Sequence, residues 1–222
     1  SCDHTFTLSG TEANKVVALV LTASSLYAAH YPSMHTRSAN QNWYPQAMQL
    51  VADHWWHNEL NTFWYPGGQV SLRFDVAGHG VVSFGDDEPD GIAERDGAAI
   101  PVEQGQLSIY FNDHSGKYVL VHGPYRGHLY EQVYVRGNFN DYAVSDKMIL
   151  VDDFVWKAHI DSGASAAHFK LDIYGDWSLT FGDNEGDGVL EVDGTEIHLP
   201  AMGMYELSFH ELSRRLSIQL LE

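Results

Sequence analysis

The chain has 222 residues, and its 30 acidic against 12 basic side chains give a formal charge of −18. Nucleic acids and anionic lipids are bound by clustered Lys and Arg, so this balance argues against both as partners. No apolar run approaches the roughly 20 residues of a membrane helix, and the single cysteine, Cys2, cannot form an internal disulfide.

The first 23 residues predict a β-hairpin. Residues 5–8 alternate between polar and apolar side chains, a polar turn follows, and Lys15 opens a second apolar run that reaches Leu21. We favour the last hairpin of a preceding module in a longer chain. A hairpin that only pads the first module is the alternative. Ser1-Cys2 could also be the end of a lipoprotein signal, with Cys2 carrying the lipid.

A long internal repeat follows this hairpin. The segment FGDDEPDG at residues 84–91 returns as FGDNEGDG at residues 181–188, and the flanking residues agree at offsets of 97 to 100. Repeats of about 100 residues have the size of independent domains rather than of solenoid units. The sequence therefore predicts module 1 at residues 24–122 and module 2 at residues 123–222, joined near residues 123–127 through a small interface.

Both modules show the pattern of short strands. Apolar residues recur at every second position, as in Tyr205, Leu207 and Phe209, and turns rich in Gly, Asn and Asp separate the runs. This pattern predicts an all-β fold with two tandem immunoglobulin-like antiparallel β-sandwich modules.

Aromatic residues make up 13% of the chain, and several fall in segments that resemble loops. Trp43, Tyr65 and Trp177 each lie beside Asn, Asp or Pro, and Trp64 precedes Tyr65. A flat aromatic ring can stack on the C–H face of a sugar while polar neighbours bind its hydroxyls. The alternative is that these rings cap the edges of the sandwiches.

Two segments of module 2 support the first interpretation. Residues 133–142 resemble the opening strand of starch- and glycogen-binding β-sandwich modules, in which a Gly-x-Phe-Asn-x-Trp segment ends in a sugar-stacking aromatic. Residues 169–177 are similar to that family's segment with a glucan-contacting lysine and tryptophan. Modules of bacterial pullulanases and of SusE-type starch-binding lipoproteins show this pattern. The resemblance implies that Tyr142, Lys170 and Trp177 bind carbohydrate.

Module 1 matches the same pattern less completely. Trp43 occupies the stacking position and Arg73 replaces the lysine, but Ser38 and Asn40 replace the glycine and phenylalanine. Gly80 stands where module 2 has Trp177. We therefore expect an incomplete and weaker site in module 1, with Trp43 and Arg73 as its candidate contacts.

Other repeated residues have more ordinary interpretations. Trp56 and Trp156 are matched between the modules and flanked by alternating apolar residues, which predicts a place in the core. The acidic loops at residues 86–90 and 183–187 place several oxygens within one turn, which suits Ca²⁺. Asx-turns with solvated carboxylates explain these loops equally well.

The sequence offers no catalytic motif that points to one reaction. Gly-x-Ser-x-Gly is absent, and the many carboxylates select no single glycosidase pair. We expect non-catalytic binding of starch-like α-glucan by an accessory region of a secreted or surface-bound bacterial polysaccharide-degrading system. The parent protein could carry a glycoside hydrolase domain, and the chain is expected to be a monomer or part of a longer chain. The alternative is a pair of spacer or protein-interaction modules.

Overall fold

The computed structural model describes residues 27–63, 69–163 and 167–221. The hairpin predicted for the first 23 residues lies outside these ranges, as do Trp64 and Tyr65. In the described part of the chain the only helices are two single 3-10 turns, Ala39–Gln41 and Asn138–Asn140, and no helix is long and apolar enough to cross a bilayer.

The described residues of module 1 form ten strands. They are β1 (Met34–Ser38), β2 (Gln46–Ala47), β3 (Gln49–Ala52), β4 (Trp55–Asn61), β5 (Val70–Val76), β6 (Ser83–Gly85), β7 (Glu94–Arg95), β8 (Ile100–Val102), β9 (Gln106–Asn112) and β10 (Tyr118–His122).

The described residues of module 2 form ten more. They are β11 (Tyr134–Gly137), β12 (Asp146–Lys147), β13 (Ile149–Asp152), β14 (Val155–Asp161), β15 (His168–Asp172), β16 (Thr180–Gly182), β17 (Glu191–Val192), β18 (Ile197–His198), β19 (Met204–His210) and β20 (Arg215–Leu221).

These strands pair into four antiparallel sheets with the same order in both modules. Module 1 has the sheets β2-β1-β5-β6-β7, with β8 also paired to β5, and β10-β9-β4-β3. Module 2 has β12-β11-β15-β16-β17, with β18 paired to β15, and β13-β14-β19-β20. The predicted all-β fold of two tandem sandwiches is therefore confirmed. We call the first sheet of each module its front sheet.

Each module has its own apolar core between its two sheets. In module 2 the core joins residues of the front sheet, such as Phe169 and Leu171, to residues of the second sheet, such as Leu207. Trp56 and Trp156 are buried in the corresponding cores, which confirms their predicted packing role.

A buried carboxylate anchors each of these tryptophans. Trp156 Nε1 donates to Glu211 at 3.1 Å, and the backbone N–H groups of Leu129 and Tyr130 donate to the same carboxylate. Asp113 accepts in the same way from Trp56 Nε1 at 2.9 Å and from two N–H groups at the start of module 1. The carboxylate thus ties the entry segment of each module to its core.

A third apolar cluster joins the modules. Phe154, between β13 and β14, is fully buried, and its ring meets the Tyr110 ring edge-on at 5.4 Å between centroids. Trp55 and Leu212 belong to the same cluster, and Tyr125 of the connecting segment packs against it. The predicted join at residues 123–127 therefore lies at this cluster. Independent folding of each module stays a prediction.

Candidate functional site

The outer face of the front sheet in module 2 carries most of the residues that the sequence singled out. Side chains alternate across a strand, so His168, Lys170 and Asp172 lie on the face opposite to the core residues Phe169 and Leu171. Glu196 and His198 flank the core residue Ile197 and lie on the same outer face. Polar and titratable groups from two chain segments thus meet there.

The base of this face is an ion pair between β11 and β15. Arg136 Nη1 lies 2.6 Å from Asp172 Oδ2, and the Asp172 side chain is fully buried. The same guanidinium donates to the carbonyl oxygens of Tyr142 at 2.6 Å and Gly175 at 3.1 Å. Charge-assisted bonds of this kind hold their partners firmly, so Arg136 fixes the loops that follow β11 and β15.

Asp172 also organises the loop that carries Trp177. Its carboxylate accepts from the backbone N–H groups of Tyr174 at 3.3 Å, Gly175 at 2.9 Å and Trp177 at 3.1 Å. Trp177 is held at a φ of 67°, a region that non-glycine residues seldom adopt. Such strain persists only where the surroundings impose it, and it is common at ligand sites.

The Trp177 ring lies over the Arg136 guanidinium. Arg136 Cζ is 3.8 Å from the ring centroid, the geometry of a cation–π contact. The guanidinium covers part of the indole, yet Trp177 remains 42% exposed. An exposed indole supported by a half-buried cation offers a preformed surface for stacking.

Tyr142 is the second ring of this face. It has a φ of 54°, and its hydroxyl donates to Glu196 Oε1 at 2.8 Å. This hydrogen bond to a carboxylate raises the pKa of Tyr142 above its ordinary value. The Tyr142 and Trp177 rings lie 6.1 Å apart between centroids and are tilted by 51°. The two predicted stacking residues are therefore neighbours.

Lys170, the third predicted residue, faces an adjoining shallow cleft of about 730 Å³. The cleft is also lined by Asp183, Asn184, Glu196 and His198. Glu196 links the two regions, because one of its oxygens binds Tyr142 and the other lies 3.4 Å from His168 Nε2. We call Tyr142, Lys170, Trp177, Glu196 and the Arg136–Asp172 pair the module 2 face.

Module 1 repeats the base of this arrangement. Arg37 donates to the carbonyl oxygens of Trp43 at 2.8 Å and Gly78 at 2.5 Å. Arg37 Nε lies 3.2 Å from the fully buried Asp75 Oδ2, without the alignment of a hydrogen bond. Trp43 has a φ of 61°, close to the 54° of its counterpart Tyr142, and it is 38% exposed.

The upper part of the site differs in module 1. At the position of Trp177 stands Gly80, where an added Cβ would lie 3.7 Å from the Arg37 guanidinium. Ala99 takes the place of Glu196, so Trp43 has no carboxylate partner from that position. Arg73 lies opposite Arg37 on neighbouring strands, as Lys170 lies opposite Arg136. Arg73 therefore shares the outer face with Arg37, whose guanidinium binds the Trp43 carbonyl, and position 80 carries no second ring. We call Trp43, Arg73 and the Arg37–Asp75 pair the Trp43 face.

The acidic loops are held by internal hydrogen bonds. Asp86 accepts from Glu88 N–H at 3.0 Å, Gly91 N–H at 3.2 Å and Tyr118 Oη at 2.8 Å. Burial opposes ionisation of Asp86, but these donors lower its pKa overall. One oxygen atom each of Asp86, Asp90 and Glu94 lies within 4.8 Å of the others. These bonds are those of an Asx-turn, although the Asp86 carboxylate is buried rather than solvated, and the Ca²⁺ site stays a prediction.

Sequence reasoning missed Arg136, Asp172 and Glu196 as parts of the site. A signal was available for two of them, because the repeat aligns Arg37 with Arg136 and Asp75 with Asp172. Arg and Asp retained in both copies, on strands that alternate between apolar and polar residues, predict an ion pair. Glu196 had no such signal, because its counterpart is Ala99.

No family model matches the chain, and no curated protein matches its sequence. The geometry of the module 2 face and the resemblance of its two segments therefore carry the functional argument.

Proposed function

We propose that the chain is a non-catalytic carbohydrate-binding protein and that the module 2 face is its main site. The observation that carries this proposal is the ring pair of Tyr142 and Trp177, held 6.1 Å apart on an outer sheet face. Aromatic rings stack on sugar rings, and Glu196 and Lys170 beside them can bind hydroxyl groups.

The tilt of the two rings supports a starch-like α-glucan over a flat ribbon polymer. Coplanar platforms suit polymers whose successive sugar rings lie in one plane. The rings of Tyr142 and Trp177 are instead inclined by 51°. An inclined pair suits a polymer whose successive sugar rings turn relative to one another, as in a helical α-glucan.

The proposed mechanism is the capture of a polymer at a surface, without bond cleavage. The Trp43 face is the weaker second site, and two sites on one chain reinforce each other because the second binding event is intramolecular. This role fits an accessory region of a secreted or surface-bound bacterial polysaccharide-degrading system.

Affinity electrophoresis tests the proposal. The protein is run in native gels that contain amylopectin, pullulan, laminarin or xylan, with a gel lacking polysaccharide as the reference. We expect retardation by amylopectin and pullulan and none by xylan. Unchanged mobility in all four gels would reject carbohydrate binding.

A spacer or protein-interaction role is the second candidate. The apolar cluster at the junction favours it, because Phe154 and Tyr110 bury their rings where the two modules meet. Such a contact limits the relative motion of the modules and suits a rigid arm. Mobility unchanged in every gel is the outcome that would favour this role.

A further inference from the structure

A cleft of about 630 Å³ opens at the junction of the modules. Strands β3 and β4 of module 1 form part of its walls. The other lining residues come from the segments that enter the two modules and from the turn before β14 of module 2. Tyr27, His57, Glu59, Tyr125 and Asp153 are among its lining residues. None of these residues belongs to the module 2 face or to its counterpart in module 1.

The cleft is acidic and aromatic. Glu59 and Asp153 are its carboxylates, and among the described residues that line it none is Lys or Arg. Burial, followed by the negative charges of Asp152, Asp153 and Asp53, raises the pKa of Tyr27. Burial is the larger cause of this raised pKa, and carboxylates of both modules add a locally negative potential.

Two hydrogen bonds fix the Tyr125 ring as one wall. Its hydroxyl donates to Asp153 Oδ2 at 2.6 Å, and its backbone N–H donates to Glu59 Oε1 at 2.9 Å. Among the described residues, the second oxygen of each carboxylate has no hydrogen-bond donor. The Tyr125 ring in turn packs on His57, with 4.6 Å between the ring centroids.

His57 adds an unused polar atom. The residue is buried, and burial lowers the pKa of its imidazole, so the ring is neutral near pH 7. Its Nε2 has no hydrogen-bond partner among the described residues. Buried polar nitrogens are nearly always paired, and a neutral imidazole with its proton on Nδ1 accepts an N–H at Nε2.

We infer that this cleft binds an organic ammonium cation. The carboxylates of Glu59 and Asp153 supply opposite charge, the rings of Tyr27 and Tyr125 supply cation–π surface, and the buried His57 forms part of the wall. A neutral sugar would use neither the charge nor the cation–π attraction. The amine of a polyamine and the amine of an amino sugar share the required chemistry.

Isothermal titration of the whole chain at low salt, with spermidine and with glucosamine as probes, tests this inference. We expect one of the two amines to bind with a stoichiometry of one and N-acetylglucosamine, which lacks the charge, to give no heat. The amine that binds identifies the source of the ammonium group. Absence of heat with both amines would overturn the inference.

Variants locate the binding. Glu59 and Tyr27 are both exposed, so Glu59→Gln and Tyr27→Leu should fold normally, and each should weaken amine binding at least about threefold. Glu88→Gln is the matched control, because it removes the same charge from an exposed loop outside the cleft. Equal weakening by Glu88→Gln would mean diffuse attraction to an acidic surface and would also overturn the inference.

Discussion

Both modules hold the same Arg–Asp ion pair on the outer face of the front sheet, but they differ in the residue that covers it. Arg37 and Arg136 each bind two loop carbonyls and one buried aspartate. Above Arg136 lies the Trp177 ring, whereas Gly80 stands at the corresponding position in module 1. The ion pair therefore recurs with the fold, and the aromatic residue above it is the part that differs between the modules.

The aspartates show how this difference reaches the loop. Asp172 accepts from three backbone N–H groups of the Trp177 loop, in addition to Arg136. Asp75 accepts no hydrogen bond from the described residues. Among the described residues, only in module 2 does the aspartate of the pair also hold the backbone of the adjacent loop, and such ordering favours a preformed binding surface.

The largest expected effect is on stability. Asp172→Ala leaves the Arg136 guanidinium and three loop N–H groups without their partner, and we expect a loss of about 3 to 5 kcal/mol in the free energy of unfolding of module 2. Asp75→Ala should cost at least about 1 kcal/mol less, because Asp75 holds no loop N–H. Urea unfolding followed by circular dichroism measures both. An equal or larger loss for Asp75→Ala would contradict the comparison.

Stability should also depend on pH through Glu211. Burial raises its pKa to about 7 from an ordinary value of 4.5, against the opposing hydrogen bonds. The folded state therefore keeps a proton that the unfolded chain releases between these two values. This contribution is complete below about pH 4.5 and is lost as the pH rises through about 7, by up to about 3 kcal/mol.

Glu211→Gln isolates this effect, because glutamine does not titrate. The difference in unfolding free energy between the wild type and Glu211→Gln should change by up to about 3 kcal/mol between pH 4.5 and pH 8. The wild type should become less stable relative to the variant as the pH rises. The exposed Glu185→Gln serves as the control. A difference that stays constant over this range would show that Glu211 titrates normally.

Trp177→Ala should weaken α-glucan binding by about 2 kcal/mol, or roughly 30-fold, because stacking aromatics carry much of the affinity at such sites. Trp43→Ala should weaken binding less, since the Trp43 face has no second ring at position 80. Migration in amylopectin gels compares the two variants, with circular dichroism to verify folding. If the folded Trp177→Ala protein migrates like the wild type, the assigned site is wrong.

The smallest expected effect is a gain in amylopectin binding by module 1. Gly80→Trp places an indole above Arg37, where a Cβ meets no atom closer than 3.7 Å. The φ of 69° at Gly80 is close to the 67° of Trp177, and a non-glycine residue there costs about 1 kcal/mol. In a Trp177→Ala background we expect about threefold tighter binding to amylopectin. No gain, with the fold intact, would show that the ring alone does not define the site.

Much of the fold could be predicted from the sequence. The matched segments at residues 84–91 and 181–188 established two modules, and alternation identified strands such as β19. The core positions of Trp56 and Trp156 followed from the same alternation. Local patterns suffice here, because the face of a strand on which a residue lies depends only on its nearest neighbours.

The assembly of the site could not be predicted in this way. Tyr142 and Glu196 are 54 residues apart and meet only because β18 pairs with β15 beside β11. Phe154 has the sequence signature of an ordinary core residue, yet it packs against the other module. Such contacts depend on sheet order and on module packing, and neither leaves a periodic signal along the chain.

The most direct test of the central claim is an indole NMR titration. The chain has 6 tryptophans, so its ¹H–¹⁵N spectrum contains few indole Nε1–H signals, and Trp177→Phe assigns the one of interest. On addition of maltoheptaose, an α-glucan oligosaccharide, we predict the largest shift for Trp177, a smaller shift for Trp43, and none for the buried Trp56 and Trp156. A Trp177 signal that stays in place while amylopectin retards the protein would contradict the assignment of the site to module 2.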